Sequence, residues 1–303
     1  MALLSFMWKV SVVINNIQSE LLEEASFIQT PFVWTQFYDY ETRTSFALGY
    51  FNSKDQKCQA LEQLCKILGE EIEAPVVEKI KNEDWQLAYR KYLKPWSYKN
   101  LHWVPEWMRD DYPKKKDSVV IWYDAGMAFG TGDHPTTQLC GRRLADFYEY
   151  ASNRESIRRL SVVDVGCGSG ILAISAYALG FSNVIGFDID NDSIRVSKDN
   201  LEQNGFLRES LPFFQSDLRI GLEGKKSDLI MANIRTPLLR ESAENLIDAL
   251  SPSGVLVLSG ILTTELKSIE QTFVRLASKR HKNLKWDHRT FLEWSDFQIR
   301  LIE

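Results

Sequence analysis

The 303-residue sequence has only four cysteines, Cys58, Cys65, Cys140 and Cys167, and no C-x-x-C pair among them. That excludes a zinc ribbon or finger and gives no disulfide framework. No metal centre is expected, and a reduced, cytoplasmic setting is favoured. Long apolar runs are also missing, so no membrane-spanning segment is expected. The apolar start "MALLSFMWKVSVVIN" has no basic region ahead of it and is interrupted by Lys9. It reads as a first strand, with a signal peptide as the alternative. Basic excess is absent too: the formal net charge is −5. That argues against a nucleic-acid wrapper, so no direct nucleic-acid readout is expected, and it fits a basic partner. What is present is an ordinary globular composition, 44% apolar and 25% charged, long enough for one large domain or two smaller ones.

The first eighty residues read as strand (6 to 14), helix (Ser19 as cap, to about Gln29), two strands ("FVWTQFYDY" and "TSFALGYF"), helix and strand (71 to 80). In the first helix Leu21, Leu22, Ala25 and Ile28 are expected inward. The second, "KDQKCQALEQLCKILG", has Cys58, Leu61, Leu64, Cys65 and Leu68 on one face and Gly69 as its stop. This order is the split βαβ arrangement of a ferredoxin-like domain, placed at 1–81. A linker helix is expected at 82–99, stopping before Pro95. Trp96, Trp103, Trp107 and Trp122 follow; packing between a strand layer and the next domain is favoured over a base-stacking platform. "KKK" at Lys114 to Lys116 reads as a solvated loop.

From Ser118 strands alternate with helices. Strands are expected near 118–123, 160–165, 183–188, 211–216, 227–232 and 253–259, and helices near 135–150, 169–180, 191–204, 236–250 and 262–278. Two aromatic runs close the chain and suit an antiparallel edge hairpin. The expected fold is α/β: a doubly wound, mostly parallel sheet at 100–303, preceded by the small α+β domain.

Two glycine loops carry the chemistry, and each lacks something. "AGMAFGTGDHPTT", at 125–137, looks like a phosphate loop without its lysine. "VVDVGCGSG" follows a strand and opens a helix, but its spacing is G-x-G-x-G, and Ile171 stands where a nicotinamide fingerprint needs its third glycine. Gly166, Gly168 and Gly170 permit close approach of a ligand. Asp164, ahead of the loop, suits a cationic ligand better than a pyrophosphate. Asp188 ends the next strand, where a carboxylate can accept from both ribose hydroxyls. S-adenosylmethionine fits both features; a mere strand-to-helix turn is the plainer reading.

In the first loop, Pro135 suits the first helical position, and His134 or Asp133 can cap it. The helix start, with Thr136 and Thr137, could then take the cofactor's carboxylate. His134 as a general base is an alternative to His134 as a cap. Asn233 ends the strand "SDLIMAN" at the same ligand edge and could orient an amine or simply cap the next helix. The two prolines and aromatic that clamp a planar nitrogen are absent after it, which argues against an amide or base as nucleophile. Asp217 could meet the adenine amino group; Cys167 and Gly260 read as loop and turn residues.

The segments "AGMAFGTGDHPTTQLC", "VVDVGCGSGILAISAYALG", "IGFDID", "MANI" and "LSGIL" together resemble the PrmA family, the methyltransferases of ribosomal large-subunit protein eleven. "EDW" and "LHWVPEW" extend the resemblance upstream to about Glu83; the first eighty residues share only an inferred arrangement. The resemblance implies a class I, seven-stranded methyltransferase domain that uses S-adenosyl-L-methionine to N-methylate lysine and N-terminal amines of that ribosomal protein. It also implies substrate recognition by the N-terminal domain, and a monomer is expected. Thr137, Gly166, Asp188 and Asn233 fall on the family's cofactor contacts, with Gly168 in the same loop. Phe129, Gly130 and Thr131 fall on its loop over the cofactor. Arg235, where the family is often apolar, is a departure near the substrate mouth. Another protein, an RNA or a small amine as substrate, or a non-catalytic binding module, are the alternatives.

Overall fold

A computed structural model describes residues 6–25, 34–39, 42, 44–72, 74–81, 93–113, 116–124, 132–151, 157–281 and 283–302. The chain divides into two compact units, 1–92 and 93–303.

In the first unit, strand β1 (Phe6–Ile14) is followed by α1 (Asn16–Ala25), β2 (Trp34–Asp39), β3 (Thr44–Phe51), α2 (Lys54–Leu68) and β4 (Val76–Lys81). The sheet order is β2-β3-β1-β4, antiparallel throughout, which is a ferredoxin-like arrangement. Alternation along β1 buries Val10, Val12 and Ile14 against Leu22 of α1 and against Ala60, Leu64 and Leu68 of α2. Helix α1 begins earlier than the Ser19 cap expected from sequence. Asn15 Oδ1 accepts from the Gln18 N–H at 2.9 Å, while Gln18 Oε1 accepts from the Asn15 N–H at 2.7 Å. Such a reciprocal capping box outcompetes a lone serine. Leu21 points outward instead of inward, and Ile28 lies outside the described residues. On α2 the buried stripe runs through every fourth residue from Ala60, which leaves Cys58 exposed and Cys65 half-buried. The residues of the expected linker helix between 82 and 92 lie outside those described.

The second unit opens with a small sheet of β5 (Trp96–Tyr98), β6 (Leu101–Pro105) and β7 (Val119–Tyr123), in which β6 and β7 are parallel. Strand β7 therefore stands outside the main sheet, in contrast to the single alternating series read from sequence. Trp96, Trp103 and Trp122 have ring contacts within this unit. Trp96 and Trp103 stack 3.9 Å apart, and the Trp103 indole N–H donates to Ser175 Oγ at 2.8 Å. Gly141 admits this pair: a Cβ there would stand 2.9 Å from both rings.

The main sheet holds β8 (Ser161–Val165), β9 (Asn183–Asp188), β10 (Phe213–Gln215), β11 (Ser227–Asn233), β12 (Leu250–Leu262), β13 (Leu284–Phe291) and β14 (Trp294–Leu301). Their order is β10-β9-β8-β11-β12-β14-β13. All neighbours are parallel except that β14 runs antiparallel to both β12 and β13. Helices α3 (Pro135–Tyr150), α4 (Ile171–Ala178), α5 (Asn191–Gln203), α6 (Leu218–Leu222), α7 (Thr236–Glu241), α8 (Ala243–Asp248) and α9 (Leu266–Arg280) connect the strands. The helix expected over 236–250 is two helices, because the chain leaves helical geometry at Ser242 (φ −98°, ψ 9°). Strand order reverses between β8 and β11, so the connections leaving their carboxyl ends run in opposite directions and open a crevice there.

Candidate functional site

At that crevice the turn after β8 takes left-handed backbone angles at Gly166 (φ 66°), Gly168 (φ 51°) and Gly170 (φ 76°), a sequence of turns that side chains oppose. The Gly166 and Cys167 N–H groups donate to the Phe187 carbonyl, and the Gly168 N–H donates to Asp188 Oδ2 at 2.9 Å. Asp188 Oδ1 accepts from the Asp190 N–H at 3.0 Å. Asp188 is thus held at the loop by backbone donors, one to each oxygen, with acceptor capacity left over.

Asp164 is fully buried beneath the loop, where its Oδ2 accepts from the Ala173 N–H at 3.0 Å. Burial pushes its carboxyl up to about 7; the Ala173 N–H opposes this and the charge of Asp188 adds to it.

Two side chains missed in the sequence fix the loop from behind. Ser197 Oγ donates to the Gly168 carbonyl at 2.7 Å, and Asn200 Nδ2 donates to the Ser169 carbonyl at 2.9 Å. Asn200 Oδ1 also accepts from the Asp124 N–H, tying the end of β7 to the loop. Their signal was legible: Ser193, Ser197 and Asn200 are polar residues at i, i+4 and i+7 on the buried face of α5.

The opposite wall is the start of α3. His134 is its cap. Nδ1 meets the Thr136 N–H at 3.4 Å and Thr136 Oγ1 at 2.8 Å, with Pro135 in the first turn. The imidazole packs edge-on against Trp294, 5.2 Å between centroids. Its burial holds it below the ordinary histidine range, against the opposing charge of Glu293. Since Thr136 is engaged with His134, Thr137 is the threonine whose hydroxyl reaches across the crevice. Asn233 Nδ2 donates to Thr137 Oγ1 at 3.4 Å. Asn233 Oδ1 is buried and has no hydrogen-bond partner among the described residues.

Ile234 links the remaining pieces. A Cβ on Gly166 would stand 2.5 Å from its Cγ2, and a Cβ on Gly260 (φ 80°) 2.5 Å from its carbonyl oxygen. Thr137, Asn233, Gly166, Gly168 and Asp188 are therefore joined through one another or through Ile234. Asp217 caps α6 by accepting from the Ile220 N–H at 2.8 Å. Phe129, Gly130 and Thr131 lie outside the described residues. Among the described residues no three His, Cys, Asp or Glu side chains gather to hold a metal, and no helix is long and apolar enough to cross a membrane.

The reversed sheet with its glycine turn, the acid ending the neighbouring strand and the antiparallel strand next to the edge define a class I methyltransferase. The model of the family described as ribosomal protein L11 methyltransferase (PrmA) matches residues 3–292. Curated relatives of that name include one from Photorhabdus laumondii, 35% identical over 75% of this chain and 72% of its own. A second, from Pseudomonas paraeruginosa, is 31% identical over 87% of this chain and 82% of its own. A crystal structure titled ribosomal protein L11 methylase, from Lactobacillus delbrueckii subsp. bulgaricus, is 31% identical with a TM-score of 0.57. It covers 69% of this chain and all of its own. The chain belongs to the ribosomal protein L11 methyltransferase family. The family match begins at residue 3 and so includes the first eighty residues, where motifs alone had been silent.

Proposed function

We propose that the chain binds S-adenosylmethionine in the crevice and N-methylates lysine and N-terminal amines of ribosomal protein L11 in the cytoplasm, acting as a monomer. In this reading residues 1–81 recognise the protein substrate and 100–303 catalyse, and the linker expected at 82–99 is shorter, since Trp96–Tyr98 already form β5 of the second unit. The residues present suit the cofactor. Three left-handed glycines leave a cradle without side chains, Asp188 offers acceptors to the ribose hydroxyls, and the start of α3 favours a carboxylate. S-adenosylmethionine, when bound, supplies an already activated methyl group.

The work left to the chain is alignment in a water-poor channel. The incoming amine must be neutral, against a reference pKa of ~10.4, and desolvation at the crevice lowers that value. The observation that carries the assignment is the buried, unpartnered Asn233 Oδ1. Its amide is turned away to Thr137, so its carbonyl is presented to an N–H donor. It would hold the amine by one N–H and direct the nitrogen lone pair along the line of transfer. Phe129 to Thr131 would shape the opening, and His134 supports this wall as a cap.

Labelled-methyl transfer should occur to purified ribosomal protein L11 and not to transfer RNA or ribosomal RNA. Asn233→Ala should lower kcat by ~10²-fold, the usual cost of one preorganised polar group. Transfer to RNA alone, or an unaltered kcat, would refute the assignment.

A further inference from the structure

Tyr123 ends β7 wholly buried, and its hydroxyl has no hydrogen-bond partner among the described residues. A buried hydroxyl left unpaired costs about 1–3 kcal/mol, and such groups call for an explanation where nearly all others are satisfied. Its position supplies one. The ring edge bearing the hydroxyl lies against Gly132: a Cβ on Gly132 would stand 2.5 Å from Tyr123 Cζ and 2.9 Å from Ile171 Cδ1. Gly132 stands just before the α3 cap, and Ile171 is the first residue after the glycine loop. The hydroxyl is therefore placed beside the start of α3, where it adjoins the first residue after the glycine loop. Burial raises the phenol well above its ordinary range, and the charge of Asp133 raises it further. It stays an O–H donor at physiological pH.

A donor of this kind, beside a helix N-terminus, is complementary to an anionic oxygen. At that terminus His134 takes the Thr136 N–H, the first turn takes that of Gln138, and Pro135 has none. We infer that the Tyr123 hydroxyl donates a hydrogen bond to the α-carboxylate of bound S-adenosylmethionine, and so selects ligands that carry that group. The inference rests on the cofactor reading above.

Calorimetry with Tyr123→Phe tests it, using S-adenosylmethionine and its decarboxylated analogue, which keeps the sulfonium and the amine. The variant should bind S-adenosylmethionine about tenfold more weakly or worse, as expected for loss of a hydrogen bond to a charged group. Its affinity for the decarboxylated analogue should equal the parent's. Ligand-free, its melting temperature should be unchanged or higher, since an unpaired hydroxyl has been removed. Equal affinity for S-adenosylmethionine, equal loss for both ligands, or a lower ligand-free melting temperature would each overturn the inference. If the parent protein binds neither ligand, the cofactor reading itself falls and this inference with it; the two failures differ in which protein fails.

Discussion

Asp164 and Gly166 show how narrowly single residues are constrained at the carboxyl end of β8. Asp164 is raised in the folded chain to about 7 by burial, against an unfolded carboxyl near ~3.9. The folded state therefore holds a proton that the unfolded state has lost. The associated stability is full below about pH 4 and disappears as pH rises toward 7. Ligand-free protein should melt progressively lower across that window, and Asp164→Asn should flatten the slope in scanning calorimetry. Asp188→Ala removes the acceptor proposed for both ribose hydroxyls and the anchor of Gly168. A ~10²-fold weaker cofactor affinity is expected from hydrogen bonds of this type; unchanged affinity would remove the ribose assignment. Gly166→Ala meets the Ile234 side chain, whereas Gly260→Ala meets the Ile234 backbone. Both carry a positive-φ cost of about 1–3 kcal/mol, but only the first collision is removed by a second substitution, Ile234→Ala. Thermal denaturation of the two double variants should show partial rescue for Gly166 and none for Gly260.

Between elements, the tie that matters most joins α3 to the closing hairpin. Arg143, on α3, makes paired bonds of 2.9 and 2.7 Å to Asp296 on β14, both side chains being buried, and also pairs with Asp287 on β13. Arg143→Met strands a buried carboxylate and should destabilise the chain by about 3–5 kcal/mol. Adding Asp296→Leu should recover most of that in denaturant titration, because removing both charges also removes their desolvation cost. This pair was not legible in the sequence, since its partners are 153 residues apart. Helix α3 itself was legible to the residue, because proline in the first turn and a capping side chain before it are local signals. So was the placement of the glycine loop beside Asp188, which depends on strand-turn-helix order alone. The break at Ser242 and the separate sheet of β5, β6 and β7 were not, because they depend on what packs against them. Tyr123 was invisible for the same reason: a tyrosine ending "VVIWY" is an ordinary strand residue until its hydroxyl is found without a partner among the described residues.

At the scale of the whole molecule, two units divide the work proposed for them. A fragment of residues 93–303 contains every wall of the crevice that the described residues supply. It should bind S-adenosylmethionine within about threefold of the full chain, as expected if few contacts with cofactor cross the boundary. Methyl transfer to ribosomal protein L11 should fall sharply, and loss of cofactor binding by that fragment would count against the division. The sheet order has one more consequence. Strand β14 follows β13 in the chain yet lies inside the sheet, between β12 and β13. A premature stop codon before Trp294 would therefore not trim an edge. It would strip β13 of its neighbour and bare β12 as an unpaired template for aggregation. Translation errors that late in the message should yield insoluble, rapidly degraded polypeptide rather than a slightly shortened enzyme.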